Sequence, residues 1–180
     1  MPDLSSNSRK ILLGLAREAI RNYLETGDHL VFQNPDEELT RRRGCFVTLR
    51  KERRLRGCVG TFDASRPLCE NVIRMAAASA FQDTRFPNVA KAELPVIRIE
   101  ISVLGGLEKV DSLEEIELGR HGVLVKLGKR TGTFLPEVAL EHQWSREEFV
   151  TFCAREKAGL RPDECAAAEI YRYEVEKFGE

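Results

Sequence analysis

The sequence predicts an α+β fold in which two related strand-and-helix halves share one mixed β-sheet with flanking helices. Three observations carry that expectation. Residues 97–103 read IRIEISV, the strict alternation of apolar and polar side chains that a half-buried strand shows. Residues 7–27 instead repeat apolar side chains at helical spacing. The triplet Gly60-Thr61-Phe62 returns as Gly132-Thr133-Phe134, and each copy ends a β run and precedes a proline suited to a first helical turn, Pro67 or Pro136. A three-residue match is weak alone; the agreement of the elements around it points to two related halves.

The elements follow in order. NSRKILLGLAREAIRNYLETG places Leu12, Leu15, Ala16, Ala19, Ile20, Tyr23 and Leu24 near one helical face, with Ser or Asn as cap before it and Gly27 after it. GCFVTLRKERRLRGCVGTF holds two β runs around a charged, glycine-free turn, a hairpin whose first strand turns Cys45, Val47 and Leu49 to one side. PLCENVIRMAAASAF repeats Cys69, Val72, Ile73, Ala76 and Ala80 at helical spacing, and its alanines imply close packing. The strand at 97–103 carries Arg98, Glu100 and Ser102 on its polar side. HGVLVKLG and KRTGTF are β runs, PEVALEHQ and SREEFVTFCAREKAG are helical by propensity, and EIYRYEVEKF alternates again as a last strand.

At 180 residues and 42% hydrophobic, the chain can bury one core, so a single domain over residues 1–180 is expected. A formal net charge of -1 removes any general affinity for nucleic acid driven by global positive charge. No stretch reaches the roughly 18 to 20 apolar residues of a membrane helix, and MPDLSSNSRK has no apolar run behind a basic head. A soluble, cytoplasmic protein with no membrane contact is expected. Five cysteines with no Cys-x-x-Cys spacing argue against a disulfide frame and a structural zinc site.

The chemical question lies in Leu55–Phe62, LRGCVGTF. Strand alternation would put Arg56, Cys58, Gly60 and Phe62 on one face. Glycines weaken strands, so Gly57 and Gly60 around a cysteine indicate a bulge, a bend or a surface that another group approaches closely. Arg56 beside Cys58 would favour a thiolate in a partly open site or hold an anion. The plainer alternative is a packed, inert thiol, since unpaired cysteines are among the most buried residues.

LRGCVGTF, followed in order by RPL, DTRFP, ELP, IEISVL, HGVLVKLG and TFLPEVA, resembles the AMMECR-type domain, named after the Alport syndrome, midface hypoplasia and elliptocytosis chromosomal region. Its prokaryotic members are called AmmeMemoRadiSam system protein A. The resemblance runs from about Gly44 through Trp144, with the flanking helix and final strand consistent. It implies an α+β fold with a barrel-like sheet built from two related halves. It implies no reaction; the system name implies association with a Memo-type protein and a radical SAM enzyme, and the motif at Leu55–Phe62 is where the resemblance places the site.

Beside Arg56, Gly57, Cys58 and Gly60, the candidate residues are Asp83 and Arg85, in a loop where Pro87 holds Phe86 extended. They frame a polar cleft or, alternatively, tie down the preceding helix end. His121, immediately before a strand, offers a base, a donor or a ligand; this reading rests equally on the His-Gly pair of the resembled family. With no cluster of three or four ligand residues, no metal and no cofactor are expected. The segment RRRGCFVTLRKERRLR is densely basic, but only Phe46 lies near to stack on a base, so nucleic-acid binding ranks last. Two function classes remain. The first is an accessory domain that binds a small acidic ligand or a partner polypeptide at Arg56 and Cys58. The second is an enzyme with Cys58 as nucleophile or redox thiol and His121 or Asp83 as acid–base partner.

Overall fold

The computed structural model describes residues 4–33 and 36–180, which fall into two compact units. The first comprises residues up to 104 together with 176–180; the second is residues 105–175.

In the first unit, α1 (Ser6–Thr26) starts where the Ser5 hydroxyl accepts the amide hydrogen of Ser8 and stops where Gly27 takes φ 79°. Its buried stripe is Leu12, Leu15, Ala16, Ala19 and Ile20. A single-turn helix, α2 (Glu37–Thr40), follows; it is too short for periodicity to reveal. Then come β1 (Cys45–Lys51), β2 (Arg54–Thr61), α3 (Leu68–Phe81) and β3 (Arg98–Leu104). β1 pairs antiparallel with both β2 and β3. Cys45, Val47 and Leu49 of β1, with Ile99, Ile101 and Val103 of β3, are fully buried in one core with the apolar residues of α1 and α3. Burying each Leu or Ile of that set contributes about 1.5–3 kcal/mol.

The β1–β2 turn joins Lys51 to Arg54 through Glu52 at φ 51° and Arg53 at φ 64°. Both central residues are left-handed, as the twist of a two-residue hairpin demands, yet neither is glycine or asparagine. That conformation costs about 1–2 kcal/mol per residue. Register also slips within the hairpin: Leu49 faces Gly57 while Arg50 faces Leu55, which leaves Arg56 as an extra, bulged residue.

The second unit contains β4 (Glu108–Lys109), β5 (His121–Leu127), β6 (Arg130–Phe134), α4 (Pro136–His142), α5 (Arg146–Phe152) and the start of β7 (Glu169–Gly179). β5 pairs antiparallel with β6 and with β7, and β4 with β7. Val123, Val125, Phe134, Phe149, Cys153 and Ala154 form its core. The Tyr173 hydroxyl lies 2.7 Å from Thr133 Oγ1 and donates to Phe134 O at 3.1 Å. Its ring passes where a Cβ on Gly122 would stand, 2.4 Å away, so only glycine is tolerated there. The last residues of β7 belong to the first unit, where Glu180 N donates to Ile99 O at 3.2 Å.

The fold is therefore α+β with flanking helices. Each of these strand pairings is antiparallel, where the sequence led us to expect a mixed sheet: short hairpin connections suit antiparallel neighbours, and no helix is needed to cross between parallel strands. The repeated triplet marks a real likeness of parts. A hairpin followed by a proline-led helix occurs in each unit, as β1–β2–α3 and as β5–β6–α4.

Candidate functional site

Cys58 lies on β2, which ends the order of strands and so exposes one backbone edge. Its amide and carbonyl point outward along that edge, and a loop just beyond α3 meets both. Asp83 Oδ2 accepts the Cys58 N–H at 2.8 Å, and Arg85 Nη2 donates to Cys58 O at 3.2 Å. Arg85 also grips Asp83 twice, Nε to Oδ1 at 2.9 Å and Nη2 to Oδ2 at 2.7 Å. The pair thus offers the strand one acceptor and one donor, as a neighbouring peptide group would, and closes an edge that could otherwise recruit another strand. The Asp83 side chain is only 6% exposed. Arg85 holds its carboxyl down at about 2, chiefly by hydrogen bonding, with the Cys58 amide adding to the effect.

The inner edge of β2 is tied differently. Val59 N donates to Ser79 Oγ at 2.9 Å, and that hydroxyl donates in turn to Val47 O at 2.7 Å, so a serine from α3 bridges a register pair of the β1–β2 ladder. Such an approach requires Gly57, where a Cβ would meet Ser79 O at 2.1 Å. Gly60 is required by a ring: a Cβ there would lie 2.2 Å from Phe46. The two glycines admit the protein's own helix and aromatic ring to either side of Cys58.

Cys58 itself is half-buried, with its sulfur 3.2 Å from Thr48 Oγ1 directly across the hairpin. Arg56 is engaged elsewhere. Its guanidinium clasps Glu93 through Nε at 3.0 Å and Nη2 at 2.9 Å, its side chain is 11% exposed, and Lys51 reaches the same carboxylate at 3.1 Å. Hydrogen bonds from Arg56 first, then from the Ala90 amide and Lys51, keep Glu93 ionised down to about 2. The bulge at Arg56 breaks the alternation that places Arg56 and Cys58 together in the sequence, so the arginine and the thiol have separate partners.

The structure brings Cys58, Asp83 and Arg85 together. His121 belongs to the second unit, where it is 8% exposed and its Nδ1 accepts the amide hydrogen of Glu117 at 3.0 Å. Burial first, and the charges of Arg172 and Arg120 after it, lower its pKa, so the ring is neutral at neutral pH with its proton on Nε2. Thr48, Ser79, Glu93 and Glu100 also build this region and are absent from the sequence-derived set. Thr48 pairs with both Cys58 and Glu100, and alternation along β3 gives Glu100 its place on the polar side. Glu93 opens the ELP segment that follows the motif in the resembled family, but no spacing pairs it with Arg56, and nothing in the sequence ties Ser79 to the motif. Among the described residues, no group of three His, Cys, Asp or Glu side chains could hold a metal ion, and no helix is long and apolar enough to cross a membrane.

These features define an α+β domain marked by a glycine-flanked cysteine on an edge strand that an Asp–Arg pair closes. Residues 13–178 match the AMMECR1 family model, and the chain belongs to that family. It is 38% identical to Protein MK0488 of Methanopyrus kandleri, over 98% of this chain and 90% of the relative. With Protein MJ0810 of Methanocaldococcus jannaschii it shares 37% identity, over 92% and 86% of the two chains. The crystal structure of the uncharacterized protein PH0010 from Pyrococcus horikoshii superposes with a TM-score of 0.91 at 34% identity, covering 98% of this chain and 93% of that one.

Proposed function

We propose that this AMMECR1-family protein is an accessory binding component that presents the Cys58 edge to a small acidic ligand or a partner polypeptide. Memo-type and radical SAM proteins are the first partners to consider, and a modification pathway is the setting. One observation carries this reading: the charged groups around the motif are committed to holding backbone and one another. Asp83, titrating near 2, is too weak a base to share a proton at neutral pH, and Arg56 already has its anion in Glu93. Arg85, by contrast, is 52% exposed, and its Nη1 has no bond among the described residues, which leaves a donor for an incoming carboxylate.

Calorimetric titration of the purified protein with a purified Memo-type protein, and separately with a purified radical SAM protein, tests this directly. A saturable complex that weakens about tenfold in Arg85→Gln is expected. Absence of a complex with either partner, together with turnover that Cys58→Ala abolishes, would replace this reading with the enzyme.

A further inference from the structure

A cavity of about 610 Å³ opens at the tip of the β1–β2 hairpin in the first unit. Arg50, Arg53 and Arg98 line it with Glu52, Glu100 and Glu180, and Val96, 54% exposed, gives it an apolar wall. Equal numbers of charges on the lining do not make it neutral, because two of the carboxylates are already matched. Glu100 receives Arg50 at 2.9 Å and Lys177 at 3.2 Å, and Glu180 receives Arg17 Nε at 3.0 Å. Among the described residues, the guanidinium groups of Arg53 and Arg98 have no hydrogen-bond or ion-pair partner.

Two further features of the lining bear on Arg53 and Arg98. Arg50 and Arg98 are direct register partners on adjacent strands, where like charges repel; Glu100 neutralises Arg50 at 2.9 Å and leaves Arg98 as the guanidinium of the pair without a described anion. The left-handed Glu52-Arg53 turn carries Arg53 to the lining of the cavity. We propose that the cavity is a binding site for a small phosphate-bearing dianion, gripped between Arg53 and Arg98, with Val96 accommodating any apolar body it carries. Guanidinium groups recognise phosphate oxygens in pairs, which suits two unmatched arginines beside one cavity.

The test is calorimetric titration of the purified full chain at low salt with inorganic pyrophosphate and, separately, phenyl phosphate. Saturable one-to-one binding to at least one probe is expected, about tenfold weaker in Arg98→Gln. Glu52→Gln removes the one lining carboxylate without a described partner and tightens binding severalfold, a gain that damaged folding could not mimic. Arg161→Gln, 71% exposed in the second unit, leaves binding unchanged. Failure of both probes to saturate, an equal loss in Arg161→Gln, or no gain in Glu52→Gln would overturn the proposal.

Discussion

Arg56 and Cys58 stand two residues apart, yet one extra residue in β2 gives them different surroundings. The nearest guanidinium on the Cys58 edge is Arg85, whose own pKa is raised first by its hydrogen bond to Asp83 and in smaller part by the charge of Cys58. Burial raises the thiols of Cys45 and Cys69, and pushes that of Cys153 up to about 12. Only Cys58 and Cys165 are half-exposed. Iodoacetamide should therefore label these two first under native conditions, with the other three labelled on unfolding. Peptide mapping over time checks the order, and Arg85→Gln should slow Cys58 severalfold without changing Cys165. Equal rates at Cys58 in both forms would exclude an electrostatic role for Arg85. Arg56→Ala acts on stability instead: it leaves Glu93 with Lys51 alone in a mostly buried position and should destabilise by about 2 kcal/mol in urea unfolding.

Among the elements, long periodic segments are legible in sequence because burial imposes the period: 97–103 and 7–27 become β3 and α1 with Gly27 as the stop. The Asp83–Arg85 loop is legible as a polar frame because Pro87 marks it. The bulge is not, since a register shift is decided by two strands together and by α3 pressing on Gly57. The hairpin turn is half legible: its charge is visible, but Glu52-Arg53 gives no sign of left-handed backbone, which sequences usually announce with Asn-Gly. Replacing Glu52→Asn and Arg53→Gly together should therefore raise stability by about 1 kcal/mol, read as a higher urea midpoint. An unchanged or lower midpoint would show that the turn is unstrained. Arg53 and Arg54 are exposed, whereas Arg50 and Lys51 are half-buried and paired with Glu100 and Glu93, so the basic run offers a small charged tip. Filter binding to random RNA should be weak at low salt and absent at about 0.2 M salt. Retention at the higher salt would restore the nucleic-acid reading.

Across the whole molecule, acid acts on both units through carboxylates held low, Glu164 in the second among them, and on the second unit through a buried histidine as well. In the first unit, Asp83 and Glu93 titrate near 2, well below the roughly 4 of the same carboxyls in an unfolded chain. The unfolded form takes up protons first, so the stability these groups contribute is complete above about pH 5 and is lost progressively as pH falls towards 2. For the 6% exposed Asp83 the loss amounts to about 2 kcal/mol at most. In the second unit, burial lowers the pKa of His121, and the sign is the same for a different reason: the unfolded imidazole, near 6.5, accepts its proton before the buried one. That contribution is present above about pH 6.5 and declines as pH falls below it. Hydrogen exchange corrected for intrinsic rates should therefore show protection in residues 105–175 falling first, as pH drops below about 6.5, while the β1–β3 amides hold until pH drops below about 5. His121→Gln should flatten the earlier decline, and Asp83→Asn the later one. Simultaneous loss of protection in both units, unchanged by His121→Gln, would mean that the carboxylates alone set the acid response.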